Sequence, residues 1–115
     1  MARSLEGLLM SPVADQAPGQ VGTSTRFAYQ EEDGLVSAAY VGGDVVQGHL
    51  VGTRTGDRLD FRYVQLKTDG TTASGHCVSL VSELPDGRVR LDETWEWESQ
   101  EGSGTSAVEE LLDQE

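Results

Sequence analysis

The sequence predicts an all-β protein, a small antiparallel up-and-down β-barrel of about eight strands. From Thr23 to Ser99, apolar and polar residues alternate, as they do along strands that have one buried face. Short glycine-containing turns interrupt this alternation, and glycine tolerates the positive φ that hairpin turns require. The turn segments are Glu32-Asp33-Gly34, Gly42-Gly43-Asp44, Thr55-Gly56-Asp57, Thr68-Asp69-Gly70 and Pro85-Asp86-Gly87.

The strands are expected to follow one another along the chain. Residues 1–22 are predicted to hold one short strand within Leu8–Val13 and then a mobile loop over Ala14–Gly22, which contains Pro18 and two glycines. Further strands are predicted at Thr23–Gln30, Leu35–Val41, Val45–Thr53, Arg58–Lys67, Thr71–Ser82 and Arg88–Ser99. After a break at Gly102-Ser103-Gly104, the segment Thr105–Leu111 fits either a closing strand or a helix. Residues 112–115 are predicted to be an acidic tail.

Length and charge limit the classes of protein that the chain can represent. With 115 residues it is predicted to be one barrel domain spanning 1–115. Its formal net charge of −12 makes nucleic acid and an anionic membrane poor partners, because phosphate groups would be repelled. The sequence lacks a long apolar run and the basic start of a signal peptide, and it has a single cysteine, Cys77. These features predict a cytoplasmic protein.

Parity within each strand predicts the inner face of the barrel, because successive side chains point to opposite sides. On the seventh predicted strand, Val89, Leu91, Glu93, Trp95 and Trp97 share a face, and the opposite face is almost entirely polar. On the strand before it, we assign the small residues to the interior because they leave room there. The other predicted inner residues are Phe27, Tyr29, Val36, Ala38, Tyr40, Val46, Gly48, Leu50, Leu59, Phe61, Tyr63, Gln65, Gly75, Cys77, Ser79 and Val81.

Glu93 is the carboxylate that this parity places among large aromatic residues. Because burial of an unpaired charge costs several kcal/mol, Glu93 must be hydrogen-bonded, protonated or facing a solvated cavity. A tyrosine hydroxyl, Arg26 or Arg62 could be its partner. Amphipathic rings and one acid that converge on a common interior predict a pocket for a small, mostly apolar organic molecule. The predicted ligand-binding residues are Tyr29, Tyr40, Phe61, Tyr63, Gln65, Cys77, Ser79, Glu93, Trp95 and Trp97.

Two other functions fit the same scaffold. One is a barrel enzyme, a cyclase or isomerase of bacterial natural-product biosynthesis, in which Glu93 and Tyr63 would be catalytic because an acid or a tyrosine can move a proton there. The other is a structural or partner-binding module whose core is filled by the aromatic residues. A homodimer is compatible with each of these functions.

The remaining motifs do not predict a further site. His76 and Cys77 are adjacent, so strand alternation places them on opposite faces and they cannot form a nucleophile and base. His49 and His76 lack metal-ligand spacing, and the glycines at 42 and 43 lack the strand-to-helix context of a phosphate-binding loop. The sequence therefore predicts no metal site and no cofactor.

Several short segments carry resemblances to known proteins. They are Phe27-Ala28-Tyr29, Ala38-Ala39-Tyr40-Val41-Gly42-Gly43, Gly48-His49-Leu50, Leu59-Asp60-Phe61-Arg62-Tyr63, Gly75-His76-Cys77-Val78-Ser79, Leu84-Pro85-Asp86-Gly87-Arg88 and Glu93-Thr94-Trp95-Glu96-Trp97. Through them, from Gly7 to Glu110, the chain resembles a family of short bacterial proteins often labelled N-acetylglutamate synthase. Acetyl transfer by that enzyme class requires a mixed α/β domain that this pattern does not predict, so we do not expect an acetyltransferase. In architecture the chain is also similar to calycin and avidin barrels, which implies a calycin-like fold that binds a small molecule inside.

Overall fold

The computed structural model describes residues 4–13 and 24–111, which form a closed barrel of eight antiparallel strands. Each strand pairs with the next along the chain, and β1 pairs with β8 to close the barrel. The all-β, up-and-down prediction is confirmed. The strands are β1 (Leu9–Pro12), β2 (Arg26–Glu32), β3 (Leu35–Gly42), β4 (Val45–Thr55), β5 (Arg58–Lys67), β6 (Thr72–Glu83), β7 (Val89–Trp97) and β8 (Ser103–Glu110).

The closing segment is a strand and not a helix. β8 pairs along one edge with β7, where Val108 faces Leu91, and along the other with β1, where Val108 faces Pro12. Two sheet neighbours satisfy the backbone of β8 more completely than an isolated short helix would. The predicted loop over Ala14–Gly22 and the acidic tail 112–115 lie outside the described residues. No helix in the described part of the chain has the length and apolar character that a membrane crossing requires.

One end of the barrel, which we call the aliphatic end, lies at the β2–β3, β4–β5 and β6–β7 turns. It is filled by buried aliphatic side chains and covered by an ion pair between Arg54 and Glu31, whose nearest atoms are 2.9 Å apart. The two side chains are only 7% and 15% exposed. The backbone N–H of Leu5 donates a hydrogen bond to the same Glu31 carboxylate (2.9 Å). The buried aliphatic residues are Leu5, Val36, Leu59, Val81, Val89, Leu91 and Val108.

The opposite end, which we call the aromatic end, lies at the β3–β4, β5–β6 and β7–β8 connections. Its inner face carries Phe27, Tyr40, Tyr63, Gln65 and Trp97. The predicted inner parity holds on β2, β3, β5, β6 and β7, where the inner residues are buried or half-buried. Between the two ends, the middle of each of these strands also places side chains on the inner face.

The prediction for Val46 is wrong. Val45 is 2% exposed and faces inwards, whereas Val46 is 50% exposed. The pairing of β4 with β5 shifts register between Val45 and Gln47, as in a β-bulge. A bulge inserts one extra residue and reverses the parity on its far side, so Val46 points outwards although Gly48 and Leu50 lie inside as predicted.

Candidate ligand site in the barrel interior

All ten residues predicted to bind a ligand lie on the inner face of the barrel. They come from β2, β3, β5, β6 and β7, so antiparallel closure brings together residues that are far apart in sequence. Tyr63 and Glu93 are half-buried and the other eight are buried. Glu93 keeps some accessible surface although its side chain lies on the inner face.

The aromatic side chains form two groups. Phe27 and Tyr40 stack with their ring centroids 4.6 Å apart. Tyr63, Trp95 and Trp97 meet edge to face, with centroids 5.7 Å apart and interplanar angles of 62° and 63°. Rings set at such angles contact one another edge to face and do not form a single parallel stack.

Glycines on neighbouring strands provide the surface against which these rings lie. Gly48 faces Tyr40 across β3 and β4, and Gly75 faces Tyr63 across β5 and β6. A methyl group added at either glycine would overlap the facing ring. The same relation holds for Gly104 with Trp95, whereas a methyl group at Gly52 would overlap the Asp60 carbonyl oxygen and Phe61 Cβ. The rings therefore lie along the wall of the barrel, close to the backbone.

Glu93 occupies the middle of β7 and accepts a hydrogen bond from the Ser106 hydroxyl (2.9 Å) on β8. Burial raises the pKa of the Glu93 carboxyl to about 7, the Ser106 hydrogen bond opposes that rise, and the charge on Asp92 adds to it. The expectation of Arg62 as a partner is wrong, because its guanidinium pairs with Glu98 (3.2 Å). Arg26 is exposed and donates to the Ser11 hydroxyl (3.0 Å). Glu93 can thus exchange a proton near neutral pH.

Four weaker acids surround Glu93. Burial raises the pKa values of Tyr29, Tyr40, Tyr63 and Cys77, and the charge on Glu93 raises each of them further. These groups therefore keep their protons at neutral pH and act as neutral hydrogen-bonding groups. Cys77 Sγ lies 3.7 Å from the Ser79 hydroxyl.

Two buried polar atoms of the site have no hydrogen-bond partner among the described residues, the Tyr29 hydroxyl and the indole nitrogen Nε1 of Trp95. The Tyr40 hydroxyl differs, since it donates to Gln65 Oε1 (2.9 Å). A buried polar group without a partner costs about 1–3 kcal/mol. The barrel interior thus has hydrogen-bonding capacity that its own side chains do not use.

The structure also tests the rejected motifs. His76 Nε2 lies 2.6 Å from Asp60 Oδ1 on the outer face, whereas the adjacent Cys77 is inside, so the two do not form a dyad. In the described residues, no group of three histidine, cysteine or acidic side chains could hold a metal ion. A shallow cleft of about 410 Å³ beside the β2–β3 hairpin includes Leu35 and Val51, but none of the ten predicted residues lines it.

Ser106 is the site residue that the sequence interpretation missed. The alternation along β8 places Ser106 and Val108 on the inner face, where they face Glu93 and Leu91 across the sheet. The signal was present in the sequence, but it could be used only once this segment was assigned as a strand. The Arg54–Glu31 pair was missed as well, because both residues look like ordinary charged positions near turns.

These observations define a class of protein: a small closed β-barrel whose interior combines aromatic walls with a polar centre. The chain belongs to the Avidin-like protein family, whose model matches residues 3–111. The calycin and avidin-like architecture expected from the sequence is thereby confirmed. No curated protein and no solved structure was found to match the chain.

Proposed function

We propose that this protein binds a small organic molecule, apolar over most of its surface, inside the barrel. The observation that carries the proposal is the pair of unpartnered polar atoms among aromatic walls, the Tyr29 hydroxyl and Trp95 Nε1. Beside them lies the half-buried Glu93, whose carboxylate accepts a hydrogen bond from Ser106 and has no oppositely charged neighbour among the described residues. Ligand pockets characteristically combine apolar walls with a few convergent polar groups. A filled structural core gains nothing from such groups, since each weakens it.

In this proposal the aromatic residues hold the body of the ligand, and Glu93 fixes its orientation. Gln65, Cys77 and Ser79 add polar contacts on the wall, and Phe61 adds apolar contact. The family membership supports the proposal through architecture, because barrels of this kind enclose an interior.

Tryptophan fluorescence provides a direct experiment, because both tryptophans of the chain, Trp95 and Trp97, lie on the inner face. A panel of small aromatic and alicyclic compounds is titrated into the wild-type protein and into Glu93→Gln. The variant nearly preserves shape, so we expect an unchanged fold and binding weaker by at least about 1.4 kcal/mol, or about tenfold. Glu96→Gln, on the exposed outer face of β7, is the matched control. If no compound perturbs the fluorescence, the core is filled and the proposal fails.

One observation favours an enzyme as the second candidate. The pKa of Glu93, raised by burial to about 7, is suited to a group that takes and returns a proton at neutral pH. In a cyclase or isomerase, Glu93 would transfer the proton and the neutral Tyr63 hydroxyl would donate a hydrogen bond. Turnover of a bound compound that stops in Glu93→Gln separates this candidate from simple binding. Cytoplasmic localisation and a homodimer stay predictions, and the homodimer is tested by the molar mass in solution.

A further inference from the structure

The charges of the barrel interior do not balance. Glu93 is surrounded by neutral groups: Tyr29 from β2, Tyr40 from β3, Tyr63 from β5, Cys77 from β6 and Ser106 from β8. The one charged neighbour that acts on its pKa is Asp92 of its own strand, and that charge is also negative.

The inward-facing arginine does not correct this imbalance. Arg54 lies at the aliphatic end, where it pairs with Glu31 at 2.9 Å and with Asp57 at 3.6 Å. That group carries more negative than positive charge. An anionic ligand would therefore meet the Glu93 carboxylate with no opposite charge, inside a protein whose formal net charge is −12.

Three rings that contact one another edge to face lie on the inner face between Glu93 and the aromatic end, and the faces of such rings attract cations. Tyr63, Trp95 and Trp97 are set at interplanar angles of 62° and 63°. The faces of tyrosine and tryptophan rings carry partial negative charge, and cages of such rings bind ammonium groups. Glu93 and Trp95 are two residues apart on β7 and so share its inner face.

We infer that the ligand of this barrel is an organic cation, with an apolar body and an ammonium group that lies against Glu93 and the Tyr63–Trp95–Trp97 rings. The inference rests on the proposed function and specifies the class of ligand. A cation supplies the charge that Glu93 lacks, and an N–H group on it can donate to the Tyr29 hydroxyl. The unpartnered Trp95 Nε1 can only donate, so it adds one requirement, an acceptor atom on the ligand body.

The test compares two probes of nearly equal shape, benzyltrimethylammonium and the neutral hydrocarbon neopentylbenzene. Binding is followed by the fluorescence of the two inner tryptophans and confirmed by calorimetry. We expect the cation to bind the wild-type protein at least about tenfold more tightly than the hydrocarbon, because the Glu93 carboxylate and the ring faces both attract its positive charge. In Glu93→Gln, cation affinity should fall by at least about tenfold and hydrocarbon affinity should change little. Glu96→Gln, which changes the net charge equally, should bind both probes as the wild type does.

A pH series in the wild-type protein gives a second readout that does not depend on any variant. Because the tyrosine and cysteine groups around Glu93 stay protonated, Glu93 is the inner group that ionises near neutrality. Because the pKa of Glu93 is about 7, the affinity for the cation should rise about tenfold between about pH 6 and about pH 8. Hydrocarbon affinity should not rise, and the Glu93→Gln variant should lose the pH dependence.

The outcomes separate the two proposals. If the hydrocarbon binds as tightly as the cation, or if cation affinity does not depend on Glu93 or on pH, the inference is overturned and the binding function stands. If neither probe binds but a compound of the panel does, the inference is overturned and the binding function stands. If neither the probes nor any compound of the panel binds the wild-type protein, both proposals fail.

Discussion

The two ends of the barrel differ in how completely their inner side chains satisfy one another. At the aliphatic end, Leu59, Val89 and Leu91 have no exposed surface, and the buried Arg54 is matched by Glu31. From the middle to the aromatic end, Glu93 and Tyr63 keep accessible surface, and Tyr29 and Trp95 keep unpartnered polar atoms. Close packing gives stability, whereas a buried polar group without a partner costs free energy and is consistent with a site that binds another molecule. We therefore attribute stability to the aliphatic end and locate the proposed binding function in the rest of the interior.

The largest expected effect tests whether packing at the aliphatic end provides the stability of the fold. Leu91→Ala removes a fully buried side chain that packs across the sheet from Val81 and Val108. The lost contacts and the cavity should cost about 2–5 kcal/mol of unfolding free energy. Urea denaturation measures that loss, and ligand affinity under folding conditions should stay close to the wild-type value. A large loss of affinity with little loss of stability would show that the two ends are not separable.

The pH dependence of stability tests the other region of the comparison, the part of the interior that contains Glu93. The pKa of Glu93 is raised from 4.5 to about 7, so between these values the folded protein binds a proton that the unfolded chain has lost. Its stabilising contribution is complete below about pH 4.5 and is lost as the pH rises to about 7. One pKa unit is about 1.4 kcal/mol, so the loss is about 3 kcal/mol.

The difference between wild-type protein and Glu93→Gln isolates this contribution. The variant cannot ionise at position 93, so the wild type should lose stability relative to it across that pH range. Urea denaturation at several pH values gives the difference curve. A flat curve would mean that Glu93 keeps its ordinary pKa and is better solvated than its position implies.

A matched pair of tyrosine variants tests whether the Tyr29 hydroxyl lacks a hydrogen-bond partner in the folded protein. Tyr40→Phe removes a hydroxyl that donates to Gln65 and should destabilise the fold by about 1 kcal/mol. Tyr29→Phe removes a hydroxyl that has no partner among the described residues, so it should leave stability unchanged or raise it by about 1 kcal/mol. Thermal denaturation ranks the two variants. Equal destabilisation would imply that the Tyr29 hydroxyl is hydrogen-bonded after all.

The sequence predicted the fold well because the two signals it carries, the glycine-containing turns and the alternation of apolar and polar residues, are both local. Hairpin turns with glycine fix where each strand ends, and alternation fixes which residues face inwards, so β5 was predicted with its observed bounds, Arg58–Lys67. The contacts that define the site depend on neighbours across the sheet. Ser106 donates to Glu93 because of the register of β7 with β8, and Arg54 meets Glu31 because β2 and β4 both pair with β3. No local sequence pattern predicts either contact. Whether the ten predicted residues bind a ligand stays a prediction.

The last pair of variants tests the bulge on β4, where local alternation failed and where Val46→Ala is expected to have the smallest effect of all. Val45 is buried and Val46 is 50% exposed, although alternation from Gly48 and Leu50 predicts the reverse. Val45→Ala should cost about 2 kcal/mol, because it removes buried methyl groups next to the aromatic end. Val46→Ala removes only exposed surface, so its cost should stay below about 1 kcal/mol, the range of strand propensity. The same urea measurement on both variants decides the register. If Val46→Ala proved the more damaging substitution, the bulge would be misplaced, and the inner face of β4 at the aromatic end would have to be reassigned.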